Sequence, residues 1–139
     1  MYETILVTLD TTPTDRVIIS HVKKLAKLCG SQVVLLHVAD GWAARQFGLN
    51  AISEEVIEDR KYLENVKKEF QEAGISAEAE LAYGEPRKEI LKWVAKRSCC
   101  LIAMSTHGHR FLGDLFLGTT AAHVQHRVAV PVLLIRAKA

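Results

Sequence analysis

Residues 104–120, MSTHGHRFLGDLFLGTT, follow an apolar run and combine three glycines, two histidines, an arginine and three threonines. Those residue types suit phosphate chemistry. Gly108 can take a positive φ and bring the backbone close to a ligand. Gly118-Thr119-Thr120 is expected to open a helix, where backbone N–H groups without intrahelical partners face an anion at the positive end of the dipole. His109 and Arg110 add positive charge. Glycine-rich strand-to-helix turns are also common as plain structure, so the residues alone leave phosphate loop and structural turn both open.

Other chemistries find less support. His107, His109, His123 and His126 invite a metal reading, and His123 and His126 can share a helix face. No cysteine or carboxylate accompanies them at ligand spacing, so no metal site is expected. Cys99 and Cys100 fall at a strand start, where neighbouring side chains point to opposite faces, and packing is expected of them. No nucleophile stands beside a base, and no carboxylate pair converges on one loop. Catalytic residues are therefore not expected. The first turn, DTTPTD, has no glycine, which argues against a dinucleotide fingerprint, and no Walker A lysine motif occurs.

The elements that must position these residues alternate in type. TILVTL (4–9) and QVVLLHVA (32–39) are near-continuous apolar runs, the pattern of strands covered on both faces. Between them a helix is predicted, with Thr12 as N-cap, Pro13 in its first turn and Asp15 at its positive end. Its apolar stripe is Ile18, Val22, Leu25 and Cys29, and Gly30 stops it. Residues 41–52 have no period and read as a loop carrying Trp42 and Phe47. Ser53 then caps a long helix with Val56, Leu63, Val66 and Phe70 inward, ending before Gly74. Residues 75–83 alternate apolar and polar, as expected of an edge strand. Pro86 starts a helix buried through Ile90, Leu91 and Val94. CCLIAMS (99–105) is a fourth strand, Gly118 to Arg127 a fourth helix, and VPVLLIR (130–136) a fifth strand. The order βαβαβαβαβ predicts an α/β fold: one open, mostly parallel five-stranded sheet with helices on both faces. Ligands bind such sheets beyond the carboxyl ends of the strands, which directs attention to Asp10, to His37–Asp40 and to Ser105 onward.

The 139 residues suit a single domain, 1–139, and 49% hydrophobic with 24% charged residues is an ordinary globular balance. A formal charge of +2 without a basic block argues against a nucleic-acid partner. The amino terminus has neither a basic segment nor a long apolar one, so secretion and membrane association are not expected. Three cysteines do not make a disulfide framework, and a reducing, cytoplasmic setting is expected.

Taken together, ILVTLD (5–10), VVLLHV (33–38), the glycine-rich turn and GTTAAHVQHRVAVPVLLIR (118–136) resemble the universal stress protein family over nearly the whole chain. Its ATP-binding members carry G-x-x-G-x9-G-[S/T] after the fourth strand. Gly108, nine further residues, Gly118 and Thr119 fit that pattern, with Ser105 where the first glycine would stand. The Ser105 Cβ either crowds a sugar or phosphate, or its hydroxyl adds a hydrogen bond. The resemblance implies the strand order 3-2-1-4-5 and a homodimer joined through the fifth strands. It also implies adenine-nucleotide binding (ATP, ADP or AMP, with Mg²⁺ as a companion) and at most slow hydrolysis. Asp10 and Val38 would then meet ribose and adenine, with Met104 nearby. Gly108, Gly118, Thr119 and Thr120 would hold phosphates, and Thr8, Leu9, Ser105, His107, His109 and Arg110 complete the expected contacts. The alternative is a homodimeric interaction protein of the same fold that binds no nucleotide.

Overall fold

The computed structural model describes residues 1–39, 54–106 and 113–137, with the side chains of 54 and 113–119 excepted. The elements are β1 (Thr4–Thr8), α1 (Asp15–Cys29), β2 (Gln32–Ala39), α2 (Glu54–Glu72), β3 (Ala77–Tyr83), α3 (Pro86–Lys96), β4 (Leu101–Thr106), α4 (Gly113–Arg127) and β5 (Val132–Arg136). The five strands form one sheet in the order β3-β2-β1-β4-β5, and every neighbouring pair is parallel. The order reverses beside β1, where Ile5 pairs with Val33 of β2 on one side and Leu101 of β4 on the other.

The two-residue period of the strands divides the core into two layers. Ile5, Val7, Val33, Leu35 and Ala103 pack against Ile18, Ile19 and Val22 of α1 and Leu63, Val66 and Phe70 of α2. Leu6, Val34, Leu36, Ile102 and Met104 pack on the other face with Ile90 of α3 and Val124 of α4. Double-sided burial is why β1, β2 and β4 read as unbroken apolar runs. The sheet edges differ: β3 is mostly half-buried, and β5 alternates half-buried with exposed positions.

Several boundaries differ from the sequence expectation. Helix α1 starts at Asp15, because residues 11–14 close a tighter turn in which Asp15 N–H donates to Thr12 O and Arg16 N–H to Pro13 O, at 3.0 and 3.1 Å. The buried stripe of α1 is Ile18, Ile19, Val22 and Ala26, while Leu25 and Cys29 are half-buried at its border. Gly30 ends the helix at φ 65°, in the left-handed region that favours glycine. Strand β4 begins at Leu101. Cys99, two residues before it, is buried, and desolvation pushes its thiol up to about 11. The loop at 41–52 with Trp42 and Phe47, and the cap at Ser53, lie outside the described residues.

Candidate functional site

The carboxyl ends of β1, β2 and β4 meet at the reversal of strand order, and a cavity of about 150 Å³ opens there. Its walls come from Thr8, Leu9 and Asp10 after β1, Leu36, His37 and Val38 on β2, and Met104 and Ser105 on β4. Pro86 and Ile90 of α3 and Thr120 of α4 close the far side. Leu36, Val38, Pro86, Ile90 and Met104 make one wall apolar, whereas Thr8, Asp10, His37, Ser105 and Thr120 bring polar groups to the same space. A cavity of this size holds about one aromatic ring. An apolar slot with a few convergent polar groups is the usual form of a small-molecule site.

The β1–α1 turn is held by a carboxylate. Asp15 is 0% exposed, and its side chain accepts hydrogen bonds from Asp10 N–H (3.0 Å), Thr11 N–H (2.9 Å) and the Tyr62 hydroxyl (2.8 Å). Thr11 sits at φ 60°, a left-handed conformation that these bonds stabilise. Burial, then the hydrogen bond to Asp15, raises the Tyr62 hydroxyl well above its ordinary value, so this phenol stays a donor. Beside it, the end of β1 is fixed by Leu9 N–H to Leu36 O (2.8 Å) and by His37 Nδ1 to Leu9 O (2.8 Å). A carbonyl only accepts, so Nδ1 carries a proton, and Nε2 faces Asp59 Oδ2 of α2 at 3.4 Å. Together these contacts set the position of Asp10 from both flanks.

Seven residues singled out in the sequence therefore meet at one cavity: Thr8, Leu9, Asp10, Val38, Met104, Ser105 and Thr120. His107, Gly108, His109 and Arg110 lie outside the described residues. The expected helix start at Gly118 requires a correction: helix α4 begins at Gly113, so Gly118, Thr119 and Thr120 lie beyond its first turn. His37, one of the strand-end candidates, also lines the cavity, whereas the sequence gives Asp15 only as a helix-end charge and does not assign Asp59 or Tyr62 to the site. Asp59 had left a signal: it falls on the apolar stripe of α2, between Val56 and Leu63, and is buried.

A larger surface groove, about 510 Å³, lies between α1 and α2 and is lined by Arg16, Lys23, Lys24, Lys27 and Glu69 among others. It runs along the helices, away from the strand ends. Among the described residues, no three His, Cys, Asp or Glu side chains converge as metal ligands. No described helix is long and apolar enough to cross a membrane.

The sequence matches the universal stress protein family over residues 1–136. The chain belongs to that family. It is 29% identical to universal stress protein MJ0577 of Methanocaldococcus jannaschii over an alignment covering 99% of this chain and 97% of that one. The solved structure of MJ0577 superposes with a TM-score of 0.83 and covers 100% of this chain and 99% of its own. Two more distant universal stress protein structures share the fold. One, in complex with cAMP, has a TM-score of 0.76 at 14% identity, with 99% of this chain and 98% of that chain covered. The other, from Archaeoglobus fulgidus in complex with dAMP, has a TM-score of 0.71 at 20% identity, with 96% and 98% covered.

Proposed function

We propose that this universal stress protein is an adenine-nucleotide-binding regulatory module of the stress response, with ATP as its ligand and at most slow hydrolysis. One observation carries the reading: the cavity at the reversal of strand order joins an apolar wall to hydroxyls and a carboxylate. The slot of Leu36, Val38, Pro86, Ile90 and Met104 fits a base. The phosphates extend toward α4, where Thr120 reaches the cavity and Gly118 and Thr119 lie just before it. Gly108, His107, His109 and Arg110 complete the phosphate end, and Mg²⁺ accompanies the phosphates. The complexes of two relatives with cAMP and dAMP support the choice of an adenine nucleotide. The Ser105 hydroxyl is hydrogen-bonded to no base among the described residues, which fits binding and not group transfer.

The test is to denature purified protein, chromatograph what is released, and measure thermal unfolding with Mg-ATP. Ligand at about a hundred times Kd should stabilise the fold by about 2.7 kcal/mol. No released nucleotide and no shift at millimolar ATP would refute the proposal.

The protein works, in this reading, as a cytoplasmic homodimer joined along β5. That strand is an outer edge, its Leu134 is 40% exposed, and uncovered edges pair readily. Light scattering should give a dimer, and Leu134→Lys should shift it to monomer.

A further inference from the structure

Ser105 is 9% exposed at the carboxyl end of β4 and lines the cavity, yet its Oγ is buried without a hydrogen-bond partner. Buried hydroxyls are nearly always paired, and an unpaired one is a cost to the free protein. The other buried oxygen in that condition among the described residues, Glu78 Oε2, lies against the Arg97 guanidinium on β3, at the far edge of the sheet. Ser105 has no such neighbour, and its position beside a ligand-sized cavity makes a ligand the natural partner.

The surroundings define which part of a ligand that is. Met104, the preceding residue, belongs to the apolar wall. Alternation along the strand turns Ser105 to the opposite side from Met104, so its Cβ stays out of the slot for the base. On β1, Val7 is in register with Ala103, and continuing that register brings Leu9 level with Ser105 and Asp10 just beyond. A carboxylate at that point opposes phosphate and accepts from hydroxyls. The uncharged, hydroxylated part of a nucleotide, attached directly to its base, is the sugar.

We infer that Ser105 Oγ hydrogen-bonds a ribose hydroxyl of the bound nucleotide and makes the site discriminate against the deoxynucleotide that lacks it. The inference rests on the adenine-nucleotide reading. Glycine, which the ATP-binding motif of the family has at this point, offers no side-chain group for such a bond, so the serine adds a selectivity that the motif alone does not give.

Calorimetric titration of ATP, 2′-deoxy-ATP and 3′-deoxy-ATP into the wild-type protein and Ser105→Ala tests this. The wild type should bind one of the deoxy analogues about 3- to 10-fold more weakly than ATP. Ser105→Ala should weaken ATP by a similar factor and no longer distinguish that analogue. The melting temperature of nucleotide-free Ser105→Ala should equal or exceed that of the wild type, since the hydroxyl has no partner within the protein. Unchanged ATP affinity in Ser105→Ala, equal weakening of all three nucleotides, or a lower melting temperature would each overturn the inference. A wild-type protein that binds none of the three would instead overturn the nucleotide reading itself, and this inference with it.

Discussion

Asp15 and Ser105 are both buried polar side chains near the carboxyl end of the sheet, and they are opposite cases. The Asp15 carboxylate accepts three hydrogen bonds from within the protein, whereas the Ser105 hydroxyl receives and donates none. Asp15 is satisfied before any ligand arrives, so it belongs to the frame that shapes the site. Ser105 lines the cavity with its hydroxyl's bonding capacity unused, which points to a ligand as the partner. The difference separates architecture from function within a few residues of the same strand ends.

Removing each side chain should therefore change stability in opposite directions. Asp15→Ala leaves two backbone amides and the Tyr62 hydroxyl without their acceptor, and orphaned buried groups cost about 1–3 kcal/mol each. A loss of about 3–5 kcal/mol in urea unfolding is expected, the largest effect of any change considered, together with weaker nucleotide binding as Asp10 loses its anchor. A loss below about 1 kcal/mol would show that the turn holds without its carboxylate. Ser105→Ala, in contrast, should stabilise the nucleotide-free protein by about 1 kcal/mol by removing an unpaired buried hydroxyl. The two variants together break the comparison if their signs agree.

Tyr62 sharpens the Asp15 half. Its hydroxyl is raised by burial and by the bond to Asp15, and the unfolded chain ionises near 10.0. The folded state thus keeps a proton that the unfolded state loses above that value. Stability from this group is complete below pH 10.0 and falls as pH rises beyond it. Tyr62→Phe should cost about 1 kcal/mol at neutral pH and flatten the alkaline limb of the stability curve. A limb unchanged in Tyr62→Phe would mean that another group titrates there.

The sheet was legible in the sequence because burial on two faces forces unbroken apolar strands, and β1, β2 and β4 carry those runs. The alternating pattern of residues 75–83 likewise marked an edge, and β3 is one. Strand ends were the legible part of the site, since parallel topology brings Asp10, Val38 and Ser105 together, while Met104 came from the family resemblance. The starts of α1 and α4 were not. Thr12 and Pro13 carry good capping chemistry, but the demand of Asp15 for the amides of Asp10 and Thr11 is a pairing across the turn that propensity does not record. The partners of His37 were equally hidden, because Leu9 and Asp59 reach it from elements distant in sequence. Likewise, no pattern in the chain announces that a serine will be buried without a partner.

Glu69 supplies the control that keeps hydrogen-bond number from explaining Asp15. Like Asp15, it accepts three bonds: two from the Arg16 guanidinium at 3.1 and 3.0 Å and one from Lys23 at 3.1 Å. Its side chain is 33% exposed and that of Arg16 55%, so water replaces whatever partner is removed. The Arg16 bonds, aided by Lys23, hold its carboxyl below the ordinary 4.5. The unfolded state therefore binds a proton first as pH falls, and the contribution is present above 4.5 and lost on acidification through the lowered value. Glu69→Gln should cost less than about 1 kcal/mol at neutral pH, with the difference fading in about 1 M salt and in acid. If Glu69→Gln instead cost as much as Asp15→Ala, the number of bonds and not their desolvation would govern both sites, and the orphaned hydroxyl of Ser105 would lose its meaning as a sign of a ligand.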